Sequence, residues 1–431
     1  MKKIKLSLQN NSSTFENDNL IKHHYSGAFI DQPLAIVLIF SLLPLFLLNA
    51  ILALATHKPV FRFEHKTDAV SREFDLRFFS CGLWVKTAVL LDISLGNIGF
   101  CGIPFSHRTS PEVQLNVLSQ INSKTGLFSL YDLHLKTGLA VTNKEQLLED
   151  QLNGSLANYV TLIIKSILCS LLYGQSENKL KRSRILSLFG LKVKNTSMDE
   201  AVNWITNTRS VSNQTQIGFF VNVHSINLSI SEPTFFDELT KANALFADGS
   251  GMRLAATKAG FLLKGNNNGT DMLPHLCKRC IKNNQSLYFL GAQPGVAEKA
   301  AKKLTRKYPG LHIAGTEHGY TGADNTEQLI AAINESGCDV LLVAMGSPVQ
   351  EQWLLEHQDK LTCTTALAVG GLFDFYSGNI SRSPMWLREI GMEWVWRLMQ
   401  EPRSKFNRYV IGTPLFLYRT FYLGLANTGV K

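Results

Sequence analysis

From Pro33 to Ala55 the chain reads PLAIVLIFSLLPLFLLNAILALA, without one charged side chain, and the run is long enough to cross a bilayer as a helix. Pro44 in its middle removes a backbone donor and is expected to kink or break that helix. Lys22, His23 and His24 precede the run, and His57 and Lys58 follow it, so flanking charge selects no orientation for a simple crossing. Two arrangements follow: a re-entrant hairpin that enters and leaves by the cytoplasmic face, or a kinked spanning helix. The run lies too far from the N-terminus, and lacks the cleavage pattern, for an ordinary signal peptide.

The second half of the chain has a different rhythm. Gln175 to Arg184, QSENKLKRSR, is polar and aperiodic and reads as a linker. Ser197 with Glu200 forms a capping box that opens the helix MDEAVNWITN. Strand-like runs then alternate with helix-like ones: GFFVNVH, ALFADG, SLYFLGA, LHIAGTE, DVLLVAMG and TTALAVGG are separated by amphipathic stretches. This order predicts an α/β fold, a mainly parallel Rossmann-like sheet covered by helices on both faces. Ligands in such folds collect at the carboxyl ends of the strands. The expected organisation is a flexible N-terminus over 1–26, a membrane-anchoring domain over 27–174, a linker over 175–196, a catalytic core over 197–381 and a basic, aromatic segment over 382–431.

Composition narrows the partners. Among 431 residues, 43 Lys plus Arg stand against 34 Asp plus Glu, a net charge of +9, which favours anionic partners. No aromatic-basic RNA-binding signature or zinc-finger spacing is present, so a membrane carrying phosphorylated lipid is expected rather than nucleic acid. Seven cysteines without framework spacing suit a reducing compartment. Cys277 and Cys280 form a CxxC, but with Met272, Leu273, Leu276 and Ile281 they trace the apolar stripe of a buried helix.

Candidate chemistry lies at the predicted strand ends. Asp248 follows ALFA and precedes Gly249, so its carboxylate is displayed at a strand-to-helix turn, as a helix cap or a functional group. Gly269, Thr270 and Asp271 open a helix whose free N–H groups suit a capping side chain, a phosphate or a sugar hydroxyl. Gly291 and Gly295 form a turn before another helix, a candidate for a nucleotide diphosphate, without GxGxxG spacing. Ser347, Pro348 and Gln350 fit a capping box with Pro at the first helical position, and Glu351 fits a solvated helix residue or a ligand contact. Gly370 and Gly371 permit close backbone approach, and Asp374 is placed to hold a ribose or sugar hydroxyl, or simply to complete a tight turn. No Asp-x-Asp occurs, so no metal and no cofactor is expected, and charge on a departing diphosphate falls to backbone dipoles and basic side chains. Arg382, Arg388, Arg397, Arg403 and Arg408 are interleaved with Trp386, Trp394, Trp396, Phe406 and Tyr409, a composition suited to a membrane interface.

The pieces FADGSG, NGTDM, AMGSPVQEQW, AVGGLFDFYSGNISRSP and GMEWVWRLMQEPRSKFNRY, in that order, resemble the WecG/TagA/CpsF family of bacterial glycosyltransferases. The resemblance implies transfer of a sugar from a UDP-sugar to a polyprenyl-diphosphate-linked sugar, with Asp248 as general base and inversion at the anomeric carbon. It also implies a sugar or nucleotide contact for Gln350. Where many members read Thr-x-Asn, this chain has Asn222-Val223-His224, which signals a different donor or acceptor sugar; His224 is either a second base or a hydrogen-bonding spacer. The N-terminal pieces FSLLPLFLLNAILALATHKPVF, LLDISLGNIGFCGIP, SKTGLFSLYDL and NGSLANYVTLIIKSILCSLLYG resemble the polyprenyl-phosphate sugar-phosphate transferases. That family's Asp-Glu pair falls on Val85 and Lys86, and its Arg-Pro on Pro104 and Phe105, so a docking shell without its chemistry is implied. The combined expectation is an exopolysaccharide or surface-polysaccharide glycosyltransferase at the cytoplasmic face of the bacterial inner membrane. An initiating phosphoglycosyl transferase and a catalytically silent scaffold are the alternatives. A homo-oligomer is compatible with this reading, and nothing in the sequence fixes the oligomeric state.

Overall fold

The computed structural model describes residues 28–68, 71–105, 124–139, 144–173, 180–207, 214–319 and 326–424. The expected flexible N-terminus over 1–26 and the start of the expected linker, 175–179, lie outside them. The chain forms two compact units, Met1–Ser129 with Glu145–Thr161, and Leu130–Lys144 with Leu162–Lys431.

In the first unit the apolar run is two helices, Asp31–Ser41 and Leu43–Ala55, bent by 67°. The break falls at Leu42, and Pro44 sits in the first turn of the second helix, where its missing N–H costs nothing. Both helices are pinned by buried polar groups. Asp31 accepts from the hydroxyl of Tyr159 and from the Phe100 N–H, and Asn49 exchanges two hydrogen bonds with the Leu83 backbone, at 2.8 and 2.9 Å. The unit also holds an antiparallel pair, β1 (Phe61–Thr67) and β2 (Glu73–Phe79), and a parallel pair, β3 (Gly99–Cys101) and β4 (Gly126–Phe128). Val85 and Lys86 lie in a short 3-10 turn, Val85–Ala88. The nearby Asp92 is buried and spent on Arg77, from whose Nη1 it accepts at 2.8 Å.

The second unit carries an eight-stranded sheet. Its strands are β5 (Ile185–Leu188), β6 (Leu191–Lys194), β7 (Gln216–Val221), β8 (Ala244–Ala247), β9 (Ser286–Gly291), β10 (His312–Glu317), β11 (Val340–Ala344) and β12 (Thr365–Ala368), in the spatial order β10-β9-β11-β12-β7-β8-β6-β5. All neighbours pair in parallel except β5 with β6, an edge hairpin inside the stretch 175–196 that reads as linker in the sequence. Alternate residues feed two cores. Ile217, Phe219, Val221, Leu341 and Val343 pack with Ile226, Leu239, Met252 and Leu354 on one face. Leu287, Phe289, Val340 and Leu342 pack with Leu273, Leu276, Ala300 and Phe373 on the other. The expected helix-covered parallel sheet is therefore present, and its period-2 burial on both faces is what apolar runs without polar alternation dictate.

Ser197 and Glu200 form the expected capping box, with reciprocal bonds of 2.9 and 3.3 Å opening helix Met198–Asn207. Cys277 and Cys280 are fully buried in helix Gly269–Asn283, and burial pushes both thiols up to about 12, which keeps them inert.

Candidate functional site

The helix after β7, Val223–Ser231, lies on one face of the sheet, whereas the one after β12, Leu372–Ser377, lies on the other. β7 and β12 are neighbours, so their following helices diverge and open a crevice at their carboxyl ends. Asn222 ends β7 and caps its helix: its Oδ1 accepts from the N–H groups of His224 and Ser225 at 3.0 and 3.2 Å. That leaves its Nδ2 free to turn outward, where it donates to Asp248 Oδ2 at 3.2 Å.

Asp248 therefore does not cap the helix that follows it, Ser250–Lys258, whose N-cap is Gly249. Gly249 adopts φ +89°, a conformation that sends the chain away from Asp248 and that a side chain resists. The Gly249 N–H donates to Asn266 Oδ1 at 2.7 Å, which fixes the turn. Burial pushes the Asp248 carboxyl above the usual range; the Asn222 hydrogen bond and Arg408 pull it back, and Asp271 adds to the rise. A raised but hydrogen-bonded carboxylate facing a crevice is a suitable proton acceptor near neutral pH.

Asp271 occupies the first turn of Gly269–Asn283, capped by Asn268, which accepts from its N–H and donates to its Oδ2, both at 2.7 Å. Arg382 and Arg388 both donate to Asp271 Oδ1, the latter at 3.0 Å. Burial alone would raise this carboxyl, but Arg382 and then Arg388 hold it below the ordinary range. The N-terminal N–H groups at Gly269 and Thr270 remain at the crevice, and the Thr270 carbonyl accepts from Tyr376 at 2.7 Å.

Arg397 lies over the Phe375 ring at 4.8 Å and pairs with Glu401 at 2.8 Å, beside Asp374. Burial pushes the Asp374 carboxyl up against the pull of Arg397 and Lys405. Arg408 falls in a wide turn, Asn407–Ile411, and covers the Tyr409 ring at 5.5 Å. Arg382, Arg388, Arg397 and Arg408 each keep one buried guanidinium nitrogen that makes no hydrogen bond within the chain. Four partly desolvated cations gathered near Asp248 and Asp271 are of the kind that suits a multiply charged anion. Arg403 is exposed on the short helix Pro402–Phe406 and lies outside this cluster.

Two sequence expectations are corrected. The capping box over Ser347, Pro348 and Gln350 does not form: Pro348 is the N-cap of helix Val349–His357, with no side-chain bond to it. Gln350 and Glu351 are buried; the Gln350 amide is used inside the chain, whereas Glu351 Oε2 is buried without a hydrogen-bond partner. Gln350 Oε1 accepts from the N–H groups of Gly346 and Gly370 at 3.3 and 3.0 Å, and its Nε2 donates to Glu351 at 2.9 Å. The Ser347 hydroxyl donates to Glu351 at 2.8 Å. This pair braces the turns after β11 and β12, which shape the crevice floor. Gly291 closes β9 at φ +125°, and a Cβ there would lie 2.4 Å from the Ala344 carbonyl, so the two strand ends need glycine to pack closely.

His224 lies beside Arg408 and Lys405; burial, then those two cations, push its imidazole down to about 4, so it is neutral at working pH. Glu393, which lies in the piece GMEWVWRLMQEPRSKFNRY but to which the sequence assigns no role, joins the cluster at the start of helix Glu393–Gln400. Burial pushes its carboxyl up, with Arg382 pulling it down and Asp271 adding to the rise.

Residues 186–428 match the sequence model of the glycosyl transferase WecG/TagA/CpsF family. Among curated proteins, the chain is 26% identical over 237 residues to an N-acetylglucosaminyldiphosphoundecaprenol N-acetyl-beta-D-mannosaminyltransferase of Staphylococcus aureus (strain MW2), covering 54% of this chain and 91% of that protein. It is 29% identical over 183 residues to the protein of the same name from Bacillus subtilis (strain 168), covering 42% and 70%. The matched segment takes in β5 to β12 and every residue of the crevice described above, and on that footing the chain is a glycosyltransferase that belongs to the WecG/TagA/CpsF family.

Proposed function

We propose that the protein moves a sugar from a UDP-sugar to a sugar carried on a polyprenyl diphosphate, with inversion and without a metal ion. The observation that carries this reading is the juxtaposition of Asp248, held by Asn222, with the four arginines that keep spare buried donors. An acceptor hydroxyl attacks the anomeric carbon while the bond from that carbon to the UDP oxygen breaks. Asp248 takes the hydroxyl proton, the N-terminus of Gly269–Asn283 meets the charge on the departing UDP, and the arginines hold the diphosphate of the lipid acceptor. The names of the relatives supply the first pair to try: an N-acetylmannosaminyl donor and an N-acetylglucosaminyl-diphosphate lipid acceptor. The β configuration in the relatives' name is the one that inversion gives from an α-linked donor.

The proposal extends to the membrane. Ile36, Val37, Phe40, Leu47, Ile51 and Leu54 of the bent helix pair are exposed, an apolar surface expected to enter lipid. At 11 and 13 residues, each helix is about 16 to 20 Å long, well short of the hydrocarbon core. Both are pinned by Asp31 and Asn49 to the same unit, which supports the re-entrant arrangement at the cytoplasmic face.

One experiment tests both parts. The purified chain is mixed with vesicles holding a polyprenyl-diphosphate sugar and a labelled UDP-sugar in EDTA. It should pellet with the vesicles and transfer label at close to its EDTA-free rate. Loss of transfer on chelation, restored by magnesium or manganese, would end the metal-free mechanism, and a protein that stays in the supernatant would end the anchor.

A further inference from the structure

The family match begins at residue 186, yet the unit that holds the crevice also contains residues 130–144 and 162–173. These earlier residues meet the C-terminal segment in a buried ion cluster. Glu389 closes helix Met385–Glu389 and is 6% exposed. Its Oε1 lies 3.3 Å from His134 Nε2, on helix Leu130–Thr137, and its Oε2 accepts from Lys165 Nζ at 2.5 Å. Burial would raise the Glu389 carboxyl, but His134 and Lys165 hold it below the ordinary range, so it is ionised at working pH.

The backbone beside it is held by two helices. Cys169 Sγ lies 3.6 Å from the Glu389 carbonyl, and the Tyr173 hydroxyl donates to the Ile390 carbonyl at 3.4 Å. Ser250, two residues after Asp248, donates to the Gly391 carbonyl at 2.9 Å. Residues 389–391 thus connect three things: the residues that precede the family segment, the turn that displays Asp248, and Arg388, whose Nη2 donates to Asp271 at 3.0 Å.

We propose that Glu389 is a positioning residue for the transfer reaction, and that His134 and Lys165, from outside the family segment, are working parts of the transferase. Through them Glu389 holds Arg388 against Asp271 and the Asp248 turn against residues 389–391. Residues 130–139 and 162–173 are then not a detachable anchor but the back wall of the anion cradle. A buried carboxylate paired with Lys165 and bonded to His134 gives the wall one geometry, because removing Lys165 leaves an uncompensated buried charge.

This inference rests on the proposed lipid-diphosphate acceptor, so its test carries a second readout that does not. The full chain is compared with Glu389→Gln, Lys165→Met, the double variant and, as benchmark, Arg388→Ala. Glu389→Gln and Lys165→Met should each raise the acceptor KM by about 10- to 100-fold, with UDP affinity kept and kcat changed far less. The double variant should lose little more than either single one, because the two residues act through one contact. Binding of inorganic diphosphate, measured by calorimetry, should weaken by about tenfold in Glu389→Gln and in Arg388→Ala alike. That comparison stands whether or not the wild-type chain uses the lipid acceptor, so failure of the substrate reading and failure of the positioning role are separable. Unchanged acceptor KM and unchanged diphosphate affinity in Glu389→Gln would overturn the proposal. So would loss of UDP binding together with the cooperative unfolding transition, since that marks a role in folding alone.

Discussion

Asp248→Asn lowers turnover by about 10² to 10⁴-fold while leaving UDP-sugar binding in place; this is the expected result of removing one general base. The amide has the size of the carboxylate and can still accept from Asn222 Nδ2, which in the native protein donates at 3.2 Å, so the turn should survive. A second signature accompanies the loss. Burial raises the Asp248 carboxyl, and the base form is the ionised one, so kcat/KM should fall as pH drops through that raised value. The acid limb of the profile should lie above the range of an exposed aspartate and should vanish in the variant. A variant keeping more than about half of the native turnover would show that another group takes the proton.

Arg382→Ala combined with Arg388→Ala is the second large effect. Each charge-assisted contact to a diphosphate is worth about 1.5 to 3 kcal/mol, so the pair should lower kcat/KM by about 10² to 10⁴-fold. The loss should appear mainly in KM for the polyprenyl-diphosphate acceptor. The same change leaves Asp271 buried without its two cations, so its carboxyl should rise and the unfolding midpoint should fall at neutral pH. The sign follows from linkage: Asp271 is held below the ordinary range when folded, so its stabilising contribution is present at neutral pH and is lost as pH falls through the folded value. Measuring the midpoint at neutral and acid pH separates the two consequences. A double variant with native kcat/KM would remove these arginines from substrate binding.

The sheet was readable in the sequence because strands buried on both faces are short apolar runs, and DVLLVAMG or SLYFLGA admits little else once amphipathic helices separate them. Asp248, Asp271 and the basic C-terminal residues were readable for a similar reason, since strand ends and helix starts are local features. What local pattern leaves out is which groups meet. Gln350 looks like a capping-box residue at a helix start, yet it is buried, its Oε1 taken by the turns after β11 and β12 and its Nε2 by Glu351. Arg382 and Arg403 look equivalent in sequence, but the segment folds so that only Arg382 reaches Asp271. Glu393 and Glu389 each carry one charge in a composition count; one joins the crevice and the other pairs with His134 and Lys165, hundreds of positions earlier. The hairpin β5–β6 was hidden by its neighbour, since a polar stretch ending at Arg184 runs straight into four-residue strands.

The central claim is tested most directly by the nucleotide that leaves. The full chain is given a UDP-sugar panel with either a short-chain polyprenyl-diphosphate sugar or the polyprenyl phosphate alone, and the released nucleotide and lipid product are identified by mass spectrometry. The account predicts UDP and a lipid-diphosphate disaccharide with the first acceptor, and no product with the second. UMP released with polyprenyl phosphate, together with a lipid-diphosphate monosaccharide, would contradict it and would mean that the first unit keeps a transferase chemistry independent of Val85 and Lys86.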